Sequence, residues 1–280
     1  MTGKRPAPIL SVRGLEKDYP TGGSLLRRNE PVRAVRGVDF DVFPGETLAI
    51  VGESGSGKSS IANAVLFLDP PTAGTVTFEG TELTRLSPRR MTAVRRRLQV
   101  VFQDPYASLD SRMRVGEIVA EPLRIHEPKL SAAQRRSRVE EMLGLVGLPR
   151  VDLGRYPHQF SGGQRQRISI ARALILNPRL VVCDEAVSAL DVSVQAQVLN
   201  LLDDLRQRLG LSYLFITHDL AVVRQIADRV LVLHEGKVVE QGNVDAVLDD
   251  PREEYTRRLI SAVPGQRAER ERAASQAGAA

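Results

Sequence analysis

The stretch Gly52-Glu53-Ser54-Gly55-Ser56-Gly57-Lys58-Ser59 constrains this chain more than any other part of it. It follows the apolar run Leu48-Ala49-Ile50-Val51 and precedes Ile61-Ala62-Asn63-Ala64-Val65-Leu66, so it occupies a strand-to-helix turn. Glycines let the backbone fold back and aim successive N–H groups inward, where the positive end of the following helix joins them. Such a loop cradles phosphate oxygens. Lys58 supplies a mobile point charge for the β- and γ-phosphates of a nucleotide, the Ser59 hydroxyl can ligate Mg²⁺, and residues 52–60 through Ser60 form the contacting set. A glycine-rich turn without a ligand is the competing reading, and the strand before and helix after argue against it.

A phosphate loop needs a second metal anchor and a group to orient water. Both stand at the end of Leu180-Val181-Val182-Cys183-Asp184-Glu185. Asp184 can hold Mg²⁺ through its water shell, and Glu185 can polarise the attacking water as a general base. The alternative is an acidic strand end that only caps a helix. Ser188-Ala189-Leu190-Asp191 does carry capping chemistry, with Asp191 or Ser193 as the N-cap. Ser161-Gly162-Gly163-Gln164, after Phe160, opens another helix and makes a second anion site. One chain has no second γ-phosphate for it, so this motif serves a nucleotide held by another subunit.

Along the chain, strands are expected at 9–12 and on towards Tyr19, 32–43, 47–51, 75–78, 98–102, 180–183, 212–216, 230–233 and 237–240. Helices are expected after the phosphate loop and at 115–125, 131–146, 164–176, 194–208, from Leu220, and at 254–262. Strands alternating with helices predict an α/β fold with a mainly parallel sheet and ligands at the carboxyl ends of its strands. Residues 8–264 read as one domain. Its core spans 8–103 and 161–250, a helical insertion covers 104–160, and a C-terminal extension covers 251–264. Residues 21–30 read as a Gly/Arg-rich loop and 265–280 as a disordered tail.

Composition excludes several classes. Hydrophobic content of 42% with 26% charge supports a packed core, and no apolar run approaches a membrane span. The first residues lead into no signal-type apolar segment, which predicts a cytoplasmic chain. The net charge of +5 invites a nucleic-acid reading, but aromatics are 4% and the arginines are mostly interleaved with acids, so no nucleic-acid partner is expected. The exception is 84–97, with Arg85, Arg89, Arg90, Arg95, Arg96 and Arg97 and no acid, either a solvated helix face or a surface for acidic lipid or a partner. Cys183 stands alone in an apolar run, an inert core residue or a reactive thiol, and no intrachain disulfide is possible.

With these motifs in this order, the chain resembles the ATP-binding subunit of an ABC transporter from about Val12 to Pro264. The resemblance implies a P-loop NTPase core with an N-terminal antiparallel β part and an inserted α-helical subdomain. It also implies two such subunits sandwiching two ATP molecules, with Mg²⁺, head to tail. Tyr19 then matches the aromatic that stacks on adenine, against its reading as a strand-end residue. Gln103 matches the glutamine that touches Mg²⁺ or the water and signals to the membrane subunit. Asp191 matches the aspartate that couples the two sites, and His218 matches the switch histidine on the γ-phosphate, at the carboxyl end of a buried strand as that role needs. His126, His158 and His234 lack such placement and read as structural. Ser161 to Gln164 would complete the partner's ATP site.

Tyr156-Pro157-His158-Gln159-Phe160, Leu190-Asp191-Val192-Ser193-Val194-Gln195 and Tyr255-Thr256-Arg257-Arg258-Leu259 are similar to the oligopeptide, dipeptide and nickel importers. That resemblance implies a second ATPase subunit, two membrane permease subunits, an extracytoplasmic solute-binding protein, and a peripheral place on the cytoplasmic face of the inner membrane. Three departures stand out. Ala186 replaces the usual proline after the catalytic glutamate, restoring a backbone N–H there. Glu253-Glu254 replaces His-Pro before Tyr255, and with Cys183 alone no iron–sulfur centre is expected. The alternatives are an accessory ATPase docked on a soluble enzyme complex such as carbon–phosphorus lyase, and a soluble translation or DNA-repair ATPase.

Overall fold

A computed structural model of the chain describes residues 6–20, 30–149 and 153–262. The expected tail at 265–280 and nearly all of the 21–30 loop lie outside them.

Among the described residues the chain begins with two long strands, β1 (Leu10–Tyr19) and β2 (Val32–Val42), then β3 (Thr47–Val51) and α1 (Lys58–Val65). β4 (Ala73–Phe78), β5 (Thr81–Glu82), α2 (Pro88–Arg95) and β6 (Leu98–Val101) follow. The helical stretch is α3 (Pro105–Ser108), α4 (Val115–His126), α5 (Ala132–Leu145) and α6 (Gly162–Leu174). The remainder is β7 (Leu180–Asp184), α7 (Val192–Leu209), β8 (Ser212–Thr217), α8 (Leu220–Ile226), β9 (Arg229–His234), β10 (Lys237–Asn243), α9 (Val244–Asp249) and α10 (Glu254–Ser261).

The strands form two sheets. One is antiparallel, in the order β2-β1-β4-β5; the other runs β10-β9-β3-β8-β7-β6 and is parallel except for the β9–β10 hairpin. The apolar runs of the second sheet are explained by burial on both faces. Leu48 and Ile50, Leu180 and Val182, Leu214 and Ile216 point to a layer shared with α1 and the antiparallel sheet. Their neighbours alternate away: Val181, Cys183, Tyr213 and Phe215 face α4 to α7, while Ala49, Val51, Val230 and Val232 face α8 to α10. Cys183 is fully buried and burial pushes its thiol well up, so it packs as a small hydrophobe.

Helix starts differ from the sequence expectation for a definable reason. α6 begins at Gly162, two residues earlier than expected, because Ser161 and Gln164 form a reciprocal capping box. The Ser161 hydroxyl accepts from the Gln164 N–H at 3.3 Å, and the Gln164 side chain accepts from the Ser161 N–H at 3.0 Å. α7 likewise begins at Val192, since Asp191 and not Ser193 is the N-cap, accepting from the Val194 N–H at 3.0 Å. The short α9 was not anticipated; only the Asn243 cap marks its start.

α4 and α5 of the helical stretch share one apolar cluster with α6, α7 and a face of the main sheet, so the stretch has no core of its own. In and around α2, all six arginines are exposed; Arg85, Arg96 and Arg97 pair with Glu82, Glu127 and Glu79. The acids absent from 84–97 itself are supplied by Glu79 and Glu82 just before it and by Glu127 at the end of α4.

Candidate active site

Parallel register brings the carboxyl ends of β3, β7 and β8 to one edge, with Val51 opposite Thr217 and Asp184 opposite Ile216. The phosphate loop leaves β3 at that edge and enters α1. Its backbone is packed from behind. A Cβ on Gly52 would lie 2.1 Å from the Leu233 carbonyl oxygen, and one on Gly57, at φ 105°, would lie 2.2 Å from that of Ala34, so both positions demand glycine. The Gly236 N–H donates to the Ser56 carbonyl at 2.9 Å, tying the loop to the β9–β10 turn.

Lys58 is 5% exposed, and its ammonium donates to the carbonyls of Gly52 at 2.8 Å and Glu53 at 2.7 Å. Burial lowers its pKa, and the carboxylates of Glu185, Asp184 and Glu53 oppose that. A positive charge held at a glycine turn and a helix start suits a phosphate.

Ser59 and Asp184 meet across the edge, the hydroxyl donating to the carboxylate at 3.3 Å. Burial raises the Asp184 pKa, the Ser59 bond opposes it and neighbouring Glu185 adds to it. A cation would offset that burial. Two hard oxygen donors on adjacent elements fit Mg²⁺, which takes few protein ligands and fills its shell with water and phosphate oxygens.

Glu185 follows directly, at φ 49°. A left-handed backbone at a residue with a side chain costs on the order of 1–3 kcal/mol and persists where surrounding bonds hold it. Here the Glu185 N–H donates to the Ile216 carbonyl at 2.9 Å, and the Glu185 carbonyl accepts from the Ser188 N–H at 3.1 Å and hydroxyl at 3.0 Å. The turn brings the Glu185 carboxylate to 3.2 Å from Nδ1 of His218. His218 follows the end of β8 and its side chain is 57% exposed, while that of Glu185 is 19% exposed.

Tyr19 ends β1 beside the phosphate-loop helix, its hydroxyl donating to Ser60 at 3.4 Å, with the Lys17 ammonium 5.2 Å from its ring centroid. Gln103 lies exposed in the bend after β6, and no hydrogen bond joins it to Ser59 or Asp184 among the described residues. The Ser161 motif packs against the start of α7 instead of the phosphate loop. A Cβ on Gly163 would lie 2.4 Å from Cγ1 of Val194, placing the exposed Ser161 and Asp191 on neighbouring helix starts. One contact to the loop was invisible in the sequence: the Glu53 N–H donates to the Tyr255 hydroxyl at 3.4 Å, across 202 residues. Two of the other histidines stack on tyrosine rings, His158 on Tyr156 and His234 on Tyr255.

The ABC transporter family profile matches residues 35–188, and the chain belongs to that family. Over 258 residues it is 50% identical to the glutathione import ATP-binding protein GsiA of Escherichia coli (strain K12), covering 92% of this chain and 41% of that protein. The counterpart from Salmonella choleraesuis (strain SC-B67) is 51% identical over the same length. The chain thus spans about two fifths of the length of these curated relatives. Among solved structures, the ATP-binding cassette MJ0796 in a dimeric post-hydrolysis state with ADP and Pi superposes with TM-score 0.75 and 31% identity, covering 84% of this chain and 98% of that one. The cbiO1 protein of Clostridium perfringens, part of the cbiONQ ABC transporter complex, gives 0.76 and 25%, covering 95% and 100%.

Proposed function

We propose that this chain is the ATP-hydrolysing subunit of a membrane ABC importer of the peptide type, moving peptides or a related small solute such as glutathione. The observation that carries the reading is the gathering of Lys58, Ser59, Asp184, Glu185 and His218 at one sheet edge. Similarity to glutathione import proteins supports the import direction and the solute class.

In this proposal residues 52–60, namely Gly52, Glu53, Ser54, Gly55, Ser56, Gly57, Lys58, Ser59 and Ser60, hold the phosphates, and Tyr19 stacks on adenine. Ser59, Asp184 and Gln103 would hold Mg²⁺, partly through water. When bound, the ion neutralises charge on the phosphate oxygens. Glu185 takes a proton from the attacking water while His218 positions the Glu185 carboxylate and faces the γ-phosphate. Lys58 and His218 stabilise the charge that develops there. Ser161, Gly162, Gly163, Gln164 and Asp191 complete the site of a second, homologous or identical subunit, which returns the same service.

The chain sits peripherally on the cytoplasmic face of the membrane; no helix among the described residues is long and apolar enough to cross one. Two permease subunits dock near residues 103–110. A groove of about 260 Å³ lies between the residues after α1, β6 and α4, with Leu68 and Ile125 exposed along it and Arg172, which donates to the Ser108 carbonyl of that segment at 2.6 Å, in its lining. An extracytoplasmic solute-binding protein acts through the permeases.

Reconstitution tests this reading. The chain assembled with its permeases and solute-binding protein in liposomes is expected to drive ATP-dependent solute uptake, and Lys58→Ala should abolish it. Stable assembly with a soluble enzyme complex and no uptake would sink the proposal.

A further inference from the structure

The segment Tyr255-Thr256-Arg257-Arg258-Leu259 is absorbed by no step above, yet it reaches the phosphate loop. Glu240 fixes the approach to α10, its carboxylate accepting from the backbone N–H groups of Arg252 at 2.9 Å and Glu253 at 3.2 Å. Ile260 is buried in the cluster that contains Ala49 and Val51 of β3, with Tyr255 and Leu259 packed against it. The Tyr255 ring stacks on His234, centroids 3.8 Å apart and planes 26° apart, at the end of β9. The ring is thereby held between α10 and the β9–β10 turn, and its hydroxyl meets the Glu53 N–H at 3.4 Å.

The peptide unit between Gly52 and Glu53 is therefore engaged at both ends. Its carbonyl, on Gly52, accepts from Lys58 at 2.8 Å, and its N–H, on Glu53, donates to Tyr255. A planar trans peptide points these two groups in opposite directions, so fixing one fixes the other. Gly52 lacks a Cβ and resists rotation of this unit weakly, which leaves its orientation to the bonds at its ends. The next carbonyl, on Glu53, holds Lys58 as well, at 2.7 Å.

We propose that Tyr255, delivered by the C-terminal helix, is a positioning residue for the phosphate loop: its hydroxyl sets the Gly52–Glu53 peptide so that the Gly52 carbonyl holds Lys58 in place for nucleotide phosphate. The inference rests on the nucleotide reading of the loop. Tyr255 acts without touching phosphate, and His234 keeps its ring in place. The hydroxyl remains protonated at neutral pH, since burial raises its pKa and the Glu53 carboxylate adds to that, outweighing the bond from the Glu53 N–H.

Tyr255→Phe in the full chain removes the hydroxyl and keeps the ring. Amide hydrogen exchange at Glu53 is expected to quicken about fivefold and MgATP affinity to fall about fivefold, the loss that one ordinary hydrogen bond corresponds to. The melting temperature of the nucleotide-free variant should match the parent, and His234→Ala, which loosens the ring but keeps the hydroxyl, should move both readouts the same way by less. Unchanged Glu53 exchange, or faster exchange with unchanged MgATP affinity, overturns the proposal; so does an affinity loss that appears only with a lowered melting temperature. Failure of the parent chain to bind MgATP would sink the nucleotide reading alone, because Glu53 exchange reports the hydroxyl's hold without nucleotide.

Discussion

Glu185 occupies a backbone conformation that its side chain disfavours, and the Ile216 and Ser188 bonds keep it there. Strain held in this way aims a carboxylate that an extended strand end would point elsewhere. Ala186, next in sequence, is buried at 1% exposure, so the turn is closed by a small packed side chain. Replacing Glu185 with glutamine keeps the shape and the contact with His218 but removes the proposed proton acceptor. In the assembled complex, Glu185→Gln should lower kcat by about 100- to 10,000-fold, the usual worth of a positioned base. MgATP affinity measured by titration should stay within about threefold, since the base adds little to ground-state binding.

At the scale of elements, polar contacts decide where segments begin and how the antiparallel sheet is tied. Asp41 on β2 stands opposite Ser11 on β1, and Arg13 reaches it with two bonds of 2.8 and 2.7 Å. Burial pushes the Asp41 carboxyl up, but the bonds from Arg13 and Ser11 outweigh it and leave the pKa below the ordinary carboxylate range. A group with a depressed folded pKa contributes its full stability above the unfolded value and loses it as pH falls through the folded one. Asp41→Asn should therefore lower the melting temperature at neutral pH and flatten its decline on acidification, with a smaller difference at high salt because the pair is partly exposed. Melting curves recorded across the acid range for both proteins measure this.

At the scale of the whole molecule, the phosphate loop and the Ser161 motif belong to different hydrogen-bond networks. Lys58 and Ser59 bond to Gly52, Glu53 and Asp184, whereas Ser161 and Gln164 bond to each other. If the motif serves a second subunit's nucleotide, hydrolysis requires two chains. Turnover per chain should then rise with protein concentration and level off, while ATP binding at low concentration persists. A rate per chain that is independent of concentration, in a sample shown to be monomeric by sedimentation, would contradict this.

Much of the fold was legible in the chain because its main sheet is buried on both faces. That burial writes runs such as Leu48-Ala49-Ile50-Val51 and Leu180-Val181-Val182-Cys183 into the sequence, and the phosphate loop is marked by residues that only its turn requires. Local chemistry also announced the Asp191 cap, though not which residue would take the role until the helix start was placed. What the sequence alone determined was the set of chemical groups: the cradle, the Asp184-Glu185 pair and the second anion motif. Tertiary structure alone decided how they meet. The 3.2 Å contact of Glu185 with His218 follows from a strand register, and the bond from Glu53 to Tyr255 spans 202 residues. Such contacts leave no periodicity to read, because they are fixed by packing between segments that no local pattern links.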